Sequence, residues 1–422
     1  MDLKPQETLA DPSHEGRPVT SPLQPAAVTV LDSELPSVRS IPGKPPGGTQ
    51  AKDRDRRIRW VEKNTGVDLT GTPLPETAEL PGIIENHVGF VPLPMSIASP
   101  LVVQGTYAQG EFAVPLATLE GTLTLSMTRG LLALAMSGGC RTVHLKQELS
   151  RSPAFVLPSI SETGPFLEWV NAHLGMLRAA AESTTRYGRL LRIDTVPLQN
   201  WMVLDFVYDT GNAAGQNMVT LATEAACQVI QKETGYPYYL ESGFNSDKKP
   251  SRRTLSAGRG HAVSVEAQLS RDVLEFLGLT AQSVLDFQQL AVTTAQAIGI
   301  LGNNLHVANA LTAIYLATGQ DAACVAENAV AFTQATLWEE EGLTLRMTLP
   351  SLTVGTVGGG TRLPAQQRNL TLLGCQEGPH AARKLAEIIA ASALALELSL
   401  MAAVVSGTFA TAHEKYGRKS QG

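Results

Sequence analysis

The sequence predicts an α+β protein in which a helix-rich large domain, built around a central long helix, is interrupted by a smaller α/β segment at residues 153–240. Three observations lead there. Apolar residues recur at helical spacing in long stretches toward both ends of the chain. Between them an apolar strand runs into a glycine-rich turn and then a helix. And 422 residues with 43% hydrophobic content exceed what one core usually serves.

Residues 1–54 hold nine prolines and almost no aromatic side chains, too little apolar surface to offset ordering entropy, and read as a disordered tail. Residues 55–84 read as a small helical segment beginning at Arg57-Ile58-Arg59-Trp60 and closing in a Pro-containing connection. Short strands are expected at 88–91 and 113–116. A helix follows at 119–136, stopped by Ser137-Gly138-Gly139, and then a strand at 142–145. Within the insert, a single amphipathic helix is expected at 166–183, a strand at 201–208, the turn Thr210-Gly211-Asn212-Ala213-Ala214-Gly215, and a helix at 217–231. That order places backbone N–H groups and a helix N-terminus where an anion can sit, although GxxxG spacing alone is equally a tight strand-to-helix turn. After Pro250 the pattern is of long helices, 284–300, 306–318 and 381–404, with Gly358-Gly359-Gly360 between the last two.

A net charge of −6 without a dense Lys/Arg block excludes a nucleic-acid surface. Cys140, Cys227, Cys324 and Cys375 are far apart, form no CxxC pair and follow no signal segment, so no disulfide framework and no metal site is expected, and a reducing, cytoplasmic setting fits. Residues 388–410 are long and apolar enough to span a bilayer. Glu397 in the middle would cost roughly 2.5–3.5 kcal/mol there, so a buried helix is expected and no membrane span.

Four ionisable residues stand out, each with an ordinary reading of its own. Glu120 is an acid at an apolar helix start, Lys248 belongs to a charged loop, Asp321 flanks a helix as a cap would, and His413 follows the last helix near basic residues. Taken with their neighbours they change meaning. Glu85-Asn86-His87-Val88-Gly89, residues 115–121, Asp247-Lys248-Lys249-Pro250, Gly258-Arg259-Gly260, residues 304–309 and 312–321, Gly355-Thr356-Val357-Gly358-Gly359-Gly360-Thr361 and Glu397-Leu398-Ser399-Leu400-Met401 occur in one order. Over residues 56–418 the chain resembles the 3-hydroxy-3-methylglutaryl-coenzyme A (HMG-CoA) reductase family, the soluble catalytic portion of its NADPH-using, eukaryotic-type branch.

The resemblance implies a reductase that converts HMG-CoA and NADPH to mevalonate and CoA. Residues 85–152 and 250–418 would form the large CoA- and substrate-binding domain, 153–240 a ferredoxin-like NADPH-binding domain, and 241–249 an active-site loop. Glu120, Lys248, Asp321 and His413 match the catalytic set. Lys248 as a buried ammonium would stabilise the oxyanion, Asp321 would hold it, His413 would protonate the CoA thiolate, and Glu120, kept protonated by burial, would donate to the alcohol. Thr185, Arg186 and Tyr187 match the grip on the 2′-phosphate, for which a guanidinium fork is suited. Asn212, Ala213, Ala214, Gly215, Gln216 and Asn217, with Val357, Gly358 and Gly359, match the rest of the coenzyme site. Ser126, Thr128 and Arg129 match CoA contacts; Arg151, Ser242, Asp247 and Lys249 match contacts to the substrate carboxylate; His306 and Asn309 match positions beside it. A dimer of dimers with the site at a subunit boundary is implied as well.

The chain also departs from the family pattern. Asn212 replaces an acid, Gln289 and Leu132 replace basic residues, Glu76 to Leu80 replace an aromatic segment, the 242–247 loop is one residue short, and Lys419 replaces a regulatory serine. A lost charge-assisted contact of this kind weakens binding by about 1–3 kcal/mol if buried. Two other readings are therefore open: reduction of a related acyl-CoA thioester, or a catalytically weak paralogue acting as a ligand-binding or regulatory subunit. Retention of all four catalytic side chains favours the active enzyme, which requires them to converge on one carbonyl.

Overall fold

The structure is a computed structural model that describes residues 51–65, 80, 82–339 and 341–409. The tail at 1–50, the whole 66–79 connection, which includes the Glu76 to Leu80 replacement apart from Leu80, and His413 and Lys419 lie outside the described residues.

Helix α1 (Ala51–Thr65) starts before the expected boundary at 54, with Asp53 in its first turn and Lys63 in its last, both favourable to the helix dipole. Arg57 ties it to the following segment by donating to the His87 carbonyl at 2.9 and 2.7 Å. The strand expected at 88–91 is not formed; Pro92 and Pro94 follow directly and remove ladder donors. The first strands are instead β1 (Met95–Gly105) and β2 (Gln109–Ala117), paired antiparallel. Helix α2 (Leu123–Met136) begins four residues later than expected, because Thr122 takes a left-handed φ of 73°. Glu120 consequently sits in the turn ahead of the helix rather than in its first turn.

Strand β3 (Cys140–Arg151) is the hinge of the architecture, much longer than the expected 142–145. Its first residues pair with β1, its middle with a later strand of the large domain, and its last three, Leu149 to Arg151, with a strand of the insert. The insert runs β4 (Ala154–Val156), α3 (Thr163–Ala172), α4 (Leu174–Glu182), β5 (Arg189–Leu198), β6 (Trp201–Asp209), α5 (Gln216–Thr234) and β7 (Tyr238–Tyr239). Its strands lie in the order β7-β4-β6-β5, all antiparallel, which with the βαββαβ chain order is the ferredoxin-like arrangement. The single helix expected at 166–183 is broken at His173, whose ring stacks on Trp169 and bonds its carbonyl at 2.7 Å. Leu149, Phe155, Phe166, Phe206 and Ile230 belong to the insert's own apolar cluster.

Beyond Pro250 come α6 (Arg252–Ser256), β8 (Gly260–Leu269), α7 (Arg271–Phe276), α8 (Ala281–Ile298), α9 (Val307–Thr318), α10 (Val325–Asn328), β9 (Phe332–Trp338), β10 (Gly342–Leu352), α11 (Pro364–Leu372) and α12 (Ala381–Val405). The expectation of helices alone missed three strands: β8, β10 and β9 continue the sheet from β3. Their inner residues, such as Val263, Val265, Leu345 and Met347, alternate into the main core, so the signal was strand period rather than helical period.

Helix α12 is the axis of that core. It is long and apolar enough to cross a membrane, but 83% of its most apolar stretch is buried inside the protein. Its alanines let neighbours approach closely. Gly130 of α2 is the tightest case, since a Cβ there would overlap the Ala395 carbonyl. Gly130→Ala should therefore cost about 1–3 kcal/mol by forcing α2 off α12. Urea unfolding would show this as a lower midpoint with an unchanged m value; an unaltered midpoint would contradict the packing described.

Candidate active site

The glycine-rich turn lies between β6 and α5. Gly211 has φ 60° and Gly215, the N-cap of α5, has φ 86°, with no side chain capping the first N–H groups. Residues 212–214 lie along residues 355–357: Thr356 N donates to Asn212 O at 2.8 Å, Ala213 bridges to Val357, and Gly355 packs so closely on Ala214 N that no Cβ would fit. Gln320 clamps Gly355 through two 2.9 Å bonds, one to its N–H and one to its carbonyl. Gly358 and Gly359 have positive φ and open space where a side chain would stand. The segments Asn212 to Asn217 and Val357 to Gly359 are thus brought together around a backbone-lined cradle next to a helix N-terminus. Gln216 donates to Cys324 Sγ at 2.8 Å. The Asn212 side chain is taken up by the start of α12, donating to Gly378 O at 2.7 Å and accepting from Ala382 N at 3.1 Å. Beside the first turn of α5, the Thr185 hydroxyl accepts from Tyr187 N and Gly188 N and meets Met218 Sδ at 3.0 Å, leaving Arg186 and Tyr187 exposed.

Beside this cradle stands a lysine–aspartate pair. Helix α9 ends at Gly319, and Asp321 caps the following turn, accepting from Ala323 N at 3.0 Å. Its other oxygen lies 2.7 Å from Lys248 Nζ. Hydrogen bonding to Asp321 is the main cause that raises the Lys248 pKa, so the ammonium is held charged. Lys248 itself has φ 58° and donates its N–H to buried Glu327 at 2.8 Å. The loop is fixed by a charge network: Arg259 pairs with Asp247 at 3.0 Å and with Glu327 at 3.2 Å, while Arg151 pairs with Glu241 and, at 3.6 Å, with Asp247. Arg151 and Asp247, both expected to face the substrate carboxylate, are therefore engaged with each other. Ser242 donates to Ser152 O at 2.6 Å, and Lys249 is exposed, with Nζ donating to Asp247 O at 2.9 Å.

Glu120 occupies a different place. Its carboxylate accepts from Asn309 Nδ2 at 2.6 Å and lies 3.8 Å from His306 Nε2. The start of α9 is anchored by Glu397, which accepts from Leu305 N at 2.5 Å and His306 N at 2.9 Å. Burial pushes the Glu397 carboxyl up to about 7 against the opposing effect of those two N–H donors. Ser126 Oγ meets Ser399 Oγ at 2.9 Å, and Arg129 bonds both the hydroxyl, at 3.0 Å, and the carbonyl of Ser399. Thr128 instead bonds its own helix, at Thr124 O. A groove of about 410 Å³ runs past Glu120, Leu125, Ser126, Arg129 and His306, and a second cleft of about 390 Å³ opens on the other side of Glu120 beside Asn309 and Thr312.

Within one chain, then, the expected convergence is only half realised. Lys248 and Asp321 meet, but Glu120 is held near the start of α9, whereas Asp321 lies just past its end, and a helix of this length is about 18 Å long. Nor is either group buried as expected. The Lys248 and Asp321 side chains are each 40% exposed and that of Glu120 is 38% exposed. Sequence reasoning missed Gln320, Glu327 and Arg259 as the scaffold of this region. A signal existed for Glu397, since a carboxylate inside an apolar helix needs donors wherever it is buried.

Residues 53–418 match the sequence profile of the hydroxymethylglutaryl-coenzyme A reductase family. The chain is 36% identical over 374 residues to the 3-hydroxy-3-methylglutaryl-coenzyme A reductase of Methanocaldococcus jannaschii, covering 86% of this chain and 92% of that one. It is 40% identical over 377 residues to the Haloferax volcanii enzyme of the same name, covering 86% and 92%. With 3-hydroxy-3-methylglutaryl-coenzyme A reductase 2 of Dictyostelium discoideum it shares 36% identity over 372 residues, 84% of this chain and 69% of the relative. In fold it resembles the class II reductase of Streptococcus pneumoniae solved with NADPH in open conformations, with a TM-score of 0.62 at 20% identity over 76% of this chain and 86% of that one. The chain belongs to the HMG-CoA reductase family.

Glu397 also gives a pH test of this geometry. Its folded-state pKa, about 7, lies above the ordinary 4.5, so the contribution it makes to stability is fully present below the ordinary value and is lost as pH rises toward 7. The stability difference between wild type and Glu397→Gln, from urea unfolding at steps between about pH 4 and about pH 8, should shift in the variant's favour across that window and then level off. A difference independent of pH would contradict the buried carboxylate.

Proposed function

We propose that this chain is an active HMG-CoA reductase, converting HMG-CoA, two NADPH and two protons to mevalonate, CoA and two NADP⁺. The observation that carries the reading is the 2.7 Å Lys248–Asp321 pair beside a glycine-lined cradle, in a chain of this family. The cradle fits a dinucleotide: close backbone at Gly355 and Ala214, open glycines at 358 and 359, and an uncapped helix N-terminus at Gly215 suit a pyrophosphate. Arg186 is exposed beside the first turn of α5, where a guanidinium can meet a 2′-phosphate, with Thr185 and Tyr187 beside it. We assign the coenzyme to the 153–240 insert, CoA and substrate to 85–152 and 250–418, and the lysine to the 241–249 loop.

When bound, NADPH supplies both hydrides. The chain supplies charge and protons. Lys248 stabilises the oxyanion that develops on the thioester carbonyl, and Asp321 keeps its ammonium charged and aimed. His413 protonates the departing CoA thiolate, and Glu120 donates to the alcohol in the second reduction. Ser126 and Arg129 take CoA along the Glu120 groove. Lys249 and Ser242 take the substrate carboxylate, with Arg151 and Asp247 fixing their loop, and His306 and Asn309 orient Glu120.

Separation of Glu120 from Lys248 and Asp321 supports a site shared between two copies, Glu120 of one meeting the lysine–aspartate pair of the other. Such closure would also bury the half-exposed groups and so provide the low-dielectric surroundings that oxyanion stabilisation needs. A dimer of dimers is the assembly the family resemblance implies. Four free and buried cysteines support a cytoplasmic setting.

Purified protein given HMG-CoA should oxidise two NADPH per CoA released, and Lys248→Ala should lower kcat at least about 10²-fold. Glu120→Gln and Lys248→Ala, each inactive alone, should regain about a quarter of wild-type activity when co-expressed, because half of randomly mixed dimers keep one intact site of two. No NADPH oxidation at high enzyme concentration would refute the activity, and no recovery on mixing would refute the shared site.

A further inference from the structure

Arg383, in the first turn of α12, is the root of a hydrogen-bond tree that ends on both backbone polar groups of one residue, Gly211, in the glycine-rich turn. Its Nη2 donates to Asp209 Oδ2 at 3.2 Å, and Asp209 Oδ1 accepts from Gly211 N at 2.8 Å. Its Nε donates to Gln147 Oε1 at 3.1 Å, and Gln147 Nε2 donates to Gly211 O at 2.5 Å and to Thr210 Oγ1 at 3.3 Å. Its third arm, Nη1, reaches Tyr107 Oη at 3.1 Å, with the guanidinium carbon 5.6 Å from the centre of that ring. Gly211 is thus gripped through its N–H by one branch and through its C=O by the other. The left-handed φ of 60° at Gly211 sets the direction in which the turn enters α5.

We infer that Arg383 is the positioning residue of the coenzyme loop, holding residues 210–215 in the shape that presents the α5 N-terminus before NADPH arrives. The inference rests on the NADPH reading above. Arg383 touches neither the Lys248–Asp321 pair nor Glu120, so its effect falls on coenzyme binding and not on the chemical groups. A guanidinium fork is required because its two branches leave in one plane at a fixed angle; a lysine ammonium keeps the charge but not that geometry.

Arg383→Lys tests this in two ways. In the ligand-free protein, amide hydrogen exchange across residues 209–217 should accelerate while that of α9 stays at the wild-type rate. In binding and kinetics, the Kd for NADPH measured by its fluorescence, and the KM for NADPH, should rise about tenfold, with the KM for HMG-CoA changed less than about threefold. Arg383→Ala should show the same pattern more strongly, and if it does not fold the lysine variant decides alone. Unchanged exchange and unchanged NADPH affinity in Arg383→Lys would overturn the inference, as would equal losses for both substrates, the mark of general loosening. Failure of wild type to bind NADPH would overturn the coenzyme reading instead, and the exchange rates would still decide whether Arg383 braces the turn.

Discussion

Two carboxylates buried on α12 hold the rest of the molecule to that helix. A carboxylate out of water is costly unless donors meet its oxygens, and each of these finds its donors on a different chain segment. Glu387 accepts from Thr106, Tyr107 and Ala108 N at 3.1, 2.9 and 2.7 Å, fixing the β1–β2 turn. Three turns on, Glu397 fixes the start of α9 through Leu305 and His306. The requirement that neither carboxylate be left unsatisfied sets where both halves of the site can stand. From Tyr107 the connection runs to Arg383 and the glycine-rich turn; from His306 and Asn309 it runs to Glu120.

Helix α9 then acts as a spacer. Its first turn carries the Glu120 side and its far end delivers Asp321 to Lys248, so one rigid element fixes the separation between the two groups of functional residues. Rotation of side chains does not close a gap of this length. One chain presents Glu120 at one end of α9 and the Lys248–Asp321 pair at the other, each partly open to solvent, and in the reading proposed above a second copy brings the acid to the ammonium.

Much of this was legible in the sequence where one local cause dominates. The β6, turn and α5 unit was read correctly because an apolar strand, left-handed glycines and an uninterrupted helical period all act within thirty-odd residues of chain. Asp321 was read as a cap and is one. Errors arose where the apolar period does not report the backbone: the period across 166–183 is continuous, yet His173 at φ −111° divides the helix, and β8 to β10 are masked by the stronger helical patterns around them. The functional set came from family resemblance, since nothing local distinguishes Lys248 from any other loop lysine. Arg383 gave no signal, because Asp209, Gln147 and Tyr107 come from three separate strands or turns and only the fold assembles them.

Catalysis by a pair of chains and not by one is the proposal on which the shared site rests. Its most direct test is specific activity measured across a dilution series in which the molecular mass is followed on the same samples by light scattering or sedimentation. Activity should disappear in step with the dimer as it gives way to monomer, with the monomer inactive at saturating HMG-CoA and NADPH. A monomer that retains the specific activity of the assembled protein would contradict it.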